Sequence, residues 1–163
     1  MASLLIGTIA GPVSAQALLI PFKKTDPAQA TLRFSKLRTA SWQGKFKKGE
    51  KNKIKFALAE YYLQVNDLFD ARQSLEEYLE DKSVDVSMLL ANIFLYKIAE
   101  NQKDEQRMVQ LKKEIFNQKF ILLFDNYKKV SYSSLSGNEY DVHYFVDRIE
   151  IFINGNAFET IRF

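Results

Sequence analysis

Between positions 51 and 82 the apolar residues recur at three- and four-residue steps, the spacing that gathers side chains on one face of a helix. Ile54, Leu58, Tyr61 or Tyr62, and Val65 form the apolar side of a first predicted helix. Lys53, Lys55, Glu60 and Gln64 fall mainly elsewhere, toward water. Asn66-Asp67 then signals a turn, because both residues tolerate left-handed backbone and cap helix starts. A second helix carries Phe69, Ala71 or Arg72, Leu75, and Tyr78 or Leu79, with Glu76, Glu77, Glu80 and Asp81 on an acidic outer face. The same period predicts three further helices. One spans 28–43, capped through Thr25-Asp26-Pro27, with Ala30, Leu32, Phe34, Leu37 and Trp42 along it. Another spans 86–100 with Leu89, Leu90, Ile93, Phe94 and Ile98, and the last 103–116 with Met108, Leu111 and Ile115.

After Asn117 the period changes. Residues 120–124 are a short apolar run, and 130–132, 142–146, 149–153 and 158–163 are rich in β-branched and aromatic residues. Ser136-Gly137-Asn138 and Asn154-Gly155-Asn156 lie between them, and Asn-Gly between such runs is a strong hairpin signal. Residues 120–163 therefore read as an antiparallel meander of three or four strands. Ile149, Ile151 and Ile153 alternate with Glu150 and Phe152, so one face of the sheet is apolar. That face must cover the helices or meet a partner.

The 51–85 stretch resembles a tetratricopeptide repeat. Leu58, Ala59 and Tyr62 stand where the family's first helix has Leu, a small residue and Tyr. Asp67 ends the turn, and Ala71 is the small residue that lets two helices approach. The family's closing Pro is missing, with Ser83 near its place. Leu90-Ala91 and Phe94 echo the first unit, with a longer inter-helix turn expected through 100–104. An ordinary antiparallel helix bundle has similar spacing. The resemblance implies a concave surface that holds a partner's peptide, with Lys55, Tyr62, Asn92 and Tyr96 as contact candidates. Ala71 is expected at the helix crossing.

Charge adds a basic N-terminal region. Residues 1–50 hold eight Lys and Arg against two Asp and Glu, whereas the whole chain is only +3. Arg33, Lys36, Arg38, Lys45, Lys47 and Lys48 make the patch, the last three in a predicted loop over 45–50. The low net charge argues against a dedicated nucleic-acid binder. Residues 3–15 are small and apolar, and Val13-Ser14-Ala15 before Gln16 resembles a signal-peptidase site, although no Lys or Arg precedes it. The alternative is an apolar arm packed on the protein or a neighbour. The segment is too short and broken to span a membrane.

Chemistry is sparse. The chain has no cysteine, which excludes disulfides, thiol catalysis and thiolate metal sites. His143 is the single histidine and reads as strand decoration. The residues imply no catalytic group, metal or cofactor. The final Phe158 to Phe163 resembles the last strand of outer-membrane β-proteins, but too few strands exist for a barrel.

The expectation is an α+β protein: antiparallel tetratricopeptide-like hairpins, then a small C-terminal antiparallel sheet. Residues 1–26 are a signal-like or apolar arm and linker, 27–117 the helical part and 118–163 the sheet. The function expected is a non-enzymatic interaction scaffold or adaptor, exported to the periplasm or envelope, binding protein partners within a larger assembly. Ile151 and Phe163 join the four helical residues as contact candidates. The alternatives are an enzyme whose site goes unrecognised, a basic N-terminal surface that binds nucleic acid or an anionic surface, and a cytoplasmic location.

Overall fold

The computed structural model describes residues 17–43, 48–80, 85–123 and 129–163. Among the described residues five helices come before the sheet: α1 (Pro27–Gln43), α2 (Lys48–Gln64), α3 (Leu68–Leu79), α4 (Val86–Asn101) and α5 (Glu105–Leu123). Four strands follow: β1 (Lys129–Ser133), β2 (Glu139–Tyr144), β3 (Arg148–Ile153) and β4 (Asn156–Arg162). The fold is α+β, with a single antiparallel meander in the order β1-β2-β3-β4. The apolar segment at 3–15 and its cleavage-like site lie outside the described residues.

Each helix packs on the next in sequence. Between α2 and α3, Asn66 takes φ +59° and Asp67 accepts from the Asp70 N–H at 3.2 Å. The Asp67 N–H reaches back to the Tyr62 carbonyl and the Asn66 N–H to that of Leu63, so the last carbonyls of α2 are satisfied. The α4–α5 turn repeats this arrangement. Lys103 takes φ +57°, Asp104 bonds back to Ala99, and the Asp104 carboxylate accepts from Arg107. The longer second turn expected at 100–104 does not exist; each turn occupies three residues. Lys103 follows Asn66 by 37 positions, so aligning the turns does not superpose Phe94 on Tyr62.

Burial corrects several faces. On α2 the covered stripe is Ile54, Phe56, Ala59 and Leu63, whereas Val65 is exposed. Glu60, expected in water, is only 2% exposed. Leu32 and Phe69, expected inside, face solvent. Lys48 to Glu50 open α2 instead of belonging to a basic loop. Residues 120–123 continue α5 and form no strand. A short apolar run suits either state, and adding a turn to an existing helix is easier than starting a new element. Residues 17–26 are more than a linker: Leu18, Ile20 and Phe22 pack partly against the core, and the Phe22 ring meets Phe94 at 6.1 Å.

In the sheet, Tyr140, Val142, Tyr144, Ile149, Ile151, Ile153 and Ile161 point inward. Register sets Val142 opposite Ile151 and Ile149 opposite Ile161. Asn154 and Gly155 form the two-residue β3–β4 turn with φ +52° and +78°, a conformation whose twist matches the strands it joins. The inner face closes on the helices as one core. Phe56 of α2 and Phe94 of α4 both pack edge-on to Tyr140, at 5.7 and 6.1 Å. An ion pair from Lys97 to Glu159 at 2.5 Å ties α4 to β4.

Ala71 lies fully buried on α3, within the shared core. Ala71→Leu adds three carbons where no space exists, and is expected to cost about 1–3 kcal/mol. Thermal unfolding checks this: an unchanged Tm would remove Ala71 from the crossing.

Candidate functional site

Among the described residues three regions bring polar or charged groups together. The first is a groove where α1, α2 and α3 meet. Arg38 comes from α1; Lys55, Leu58 and Tyr62 come from α2; Asp70, Gln73, Ser74 and Glu77 come from α3. Steps of three and four align the α3 residues into one wall. The groove holds about 280 Å³. Its α3 wall is acidic, while the facing wall is basic and aromatic. Burial raises the Tyr62 pKa, so the phenol stays protonated and able to donate. Asp70 is also raised, first by its hydrogen-bonding contact with Asp67. Phe34 of α1 steadies this wall by stacking on Tyr61 at 4.1 Å and meeting Tyr62 edge-on at 5.2 Å. The Arg38 guanidinium lies 5.9 Å from the Phe34 ring.

The second is a buried carboxylate. Glu60 projects from α2 toward the β1–β2 turn. Its Oε2 accepts from Ser134 Oγ at 2.9 Å, Asn138 Nδ2 at 2.9 Å and Tyr140 Oη at 2.5 Å. Its Oε1 is buried and has no hydrogen-bond partner among the described residues. Desolvation raises the Glu60 pKa, and the bonds from Tyr140, Asn138 and Ser134 only partly offset that. The carboxylate raises the Tyr140 phenol in turn, adding to the larger effect of burial. Beside Glu60 lies a cavity of about 50 Å³, bordered by Arg33, Phe34, Tyr61, Gln64 and Ser136 among others. That is room for one or two waters, not for a metabolite.

The network reaches further. With Nδ2 given to Glu60, the Asn138 amide turns its Oδ1 outward, where it accepts from the Lys23 N–H at 2.9 Å and Asn154 Nδ2 at 3.0 Å. Asn154 also donates to the Pro21 carbonyl at 3.0 Å. Glu60 thereby orients the group that fixes the incoming chain to the end of the sheet.

The third is an apolar groove of about 410 Å³, lined among the described residues by Val109, Lys112, Lys113, Phe116, Asn117 and Phe163. Lys119 lies beneath it, its Nζ 5.1 Å from the Phe163 ring and 2.7 Å from the Val146 carbonyl.

The contact candidates therefore separate. Lys55 and Tyr62 share the first groove. Asn92 is buried and donates to Gln118 at 2.9 Å, joining α4 to α5. Tyr96 is half-buried beside Lys97 and Glu159, next to β4. Ile151 lies in the core, and Phe163 borders the third groove. In the basic patch Arg33, Lys36 and Arg38 are exposed on α1. Lys45 and Lys47 lie outside the described residues, as does the Lys48 side chain. His143 sits on the sheet's outer face, its ring 4.9 Å from Phe152, on the opposite side from Tyr140. Periodicity anchored on Leu58 and Val65 missed Glu60. Anchored on Phe56 and Leu63 it would have found it, since Glu60 lies four residues after one and three before the other.

Among the described residues no three His, Asp or Glu come together as a metal site, and no helix is long and apolar enough to cross a membrane. No family model, curated protein or solved structure matches the chain.

Proposed function

We propose that this protein is a non-enzymatic interaction module, a scaffold or adaptor, whose tetratricopeptide-like hairpins hold an extended segment of a partner protein. The observation that carries this reading is the first groove. Lys55 and Tyr62 line it together with Arg38, and the α3 wall opposite is acidic. Walls of opposite sign beside an aromatic platform suit a peptide of mixed charge, whose register such walls fix more strongly than its affinity. The envelope location belongs to the same proposal and rests on Val13-Ser14-Ala15.

The test is affinity purification with mass spectrometry from the native host, run on envelope and cytosolic fractions. Wild type is compared with a Lys55→Glu, Tyr62→Ala variant. Both side chains are partly exposed, so the variant is expected to keep its circular dichroism spectrum and lose its partners at least about tenfold. An unchanged partner set would reject the groove. Recovery from the cytosol alone would reject the envelope location.

A further inference from the structure

Two stripes on different helices complement one another. On α3 and its C-cap, Phe69, Glu76 and Glu80 recur at seven and four residues, which aligns them on one exposed side. The Phe69 ring is 76% exposed at the first turn of the helix. Among the described residues Glu80 has no ion-pair partner, and Glu76 has only Arg72, four residues earlier on the same surface. On α5, Val109, Lys112, Lys113 and Phe116 recur at three, four and seven residues along the third groove. Among the described residues Lys112 and Lys113 have no ion-pair partner. One stripe is an aromatic knob followed by carboxylates. The other is an apolar hollow, large enough for a phenyl ring and rimmed by ammonium groups.

We propose that copies of this chain associate head to tail, with the α3 stripe of one copy seated on the α5 groove of the next. Phe69 enters between Val109, Phe116 and Phe163, and Glu76, two turns along, reaches toward Lys112 and Lys113, with Glu80 adding negative charge one turn beyond. The two surfaces are different patches, so the contact is heterologous. It uses one patch on each copy and leaves the other patch free for a further copy, giving rings or open rows instead of closed two-fold dimers. It shares neither Lys55 nor Tyr62 with the peptide groove, and so stands or falls separately from the function proposed above.

Sedimentation velocity at rising protein concentration and at low and high salt is the first measurement. Wild type is expected to grow in mass with concentration and to associate about tenfold more weakly at high salt, because exposed charges carry part of the contact. Two charge-reversed proteins supply the second. Glu76→Lys with Glu80→Lys alters only the knob, and Lys112→Glu with Lys113→Glu alters only the hollow. Each alone is expected to remain monomeric, and an equimolar mixture to assemble again, since the new cations of one then face the new carboxylates of the other. Phe69→Ser, at a side chain that is 76% exposed, weakens association about tenfold without any change of charge. Circular dichroism verifies folding of each variant. A monomeric wild type, a charge-reversed variant that assembles alone as wild type does, or a mixture that stays monomeric would each overturn the proposal.

Discussion

Ile151→Asp is expected to unfold the protein at ordinary temperature. Ile151 is 1% exposed on β3, opposite Val142 and on the same face as Ile149 and Ile153. A carboxylate there would lose its hydration and meet only apolar groups. The cost exceeds about 4 kcal/mol, a large share of the roughly 5–15 kcal/mol that holds a domain together. The neighbouring Glu150→Lys is the control. Glu150 lies on the outer face, opposite His143. Its loss breaks a partly solvated bridge to Arg148 at 3.1 Å, worth under about 1 kcal/mol. Circular dichroism melts and light scattering separate the two cases. A wild-type melt for Ile151→Asp would show that the register of the sheet is misassigned.

Glu60→Leu is the second large effect. The leucine fits the space but leaves the buried donors of Ser134, Asn138 and Tyr140 without their acceptor, beside a cavity that can supply at most one or two waters. With each unsatisfied group costing about 1–3 kcal/mol, the loss is expected to reach about 3–5 kcal/mol by urea denaturation. Glu60→Gln keeps an acceptor for those donors and removes the charge. Its signature is in pH dependence. Burial holds the Glu60 pKa in the folded protein above its ordinary value of 4.5. In the window between the two values the folded state binds the extra proton, so stability falls as pH rises. The stabilisation from a neutral, buried carboxyl is complete below 4.5 and is lost as pH climbs through the raised value. Wild type should therefore weaken across that window relative to Glu60→Gln, which lacks the titrating group. Parallel urea midpoints for the two proteins across the window would mean that Glu60 titrates normally and that the buried network is wrong.

Both effects rest on features of different origin. The face containing Ile151 is written in the chain. Isoleucine at every second position over 149–153 and the Asn154-Gly155 pair specify a hairpin with one buried side, because side chains alternate across a strand and few residues take left-handed backbone. The same holds for the α2–α3 hairpin, where Asn66 and Asp67 supply the turn and cap from local chemistry alone. Leu75 and Tyr78 follow at helical steps and are buried as their spacing predicts. Those elements depend on neighbours only a few residues away, which the sequence lists in order.

Glu60 is the opposite case. Its partners lie 74, 78 and 80 residues further along, and no local period announces them. Once the sheet closes over α2, the covered stripe is the one facing Tyr140 and Phe94, which contains Phe56, Glu60 and Leu63. Leu58 is then left beside the groove of α1, α2 and α3 and Val65 in solvent, although both are as apolar as the residues that won. Phe69 shows the same logic on α3, and residues 120–123 show it for the choice between helix and strand. The α4 helix is covered on nearly every side because α3, α5 and the sheet all pack on it. Its composition allows that burial but does not say what provides it. The chain by itself determined the helical hairpins, the sheet turns and the alternation of β3, since short-range sterics and periodicity decide these. Which face of each element became core, and the assembly of a groove from Arg38, Lys55, Tyr62 and the α3 carboxylates, were decided only by the tertiary structure, because burial is a property of what lies opposite.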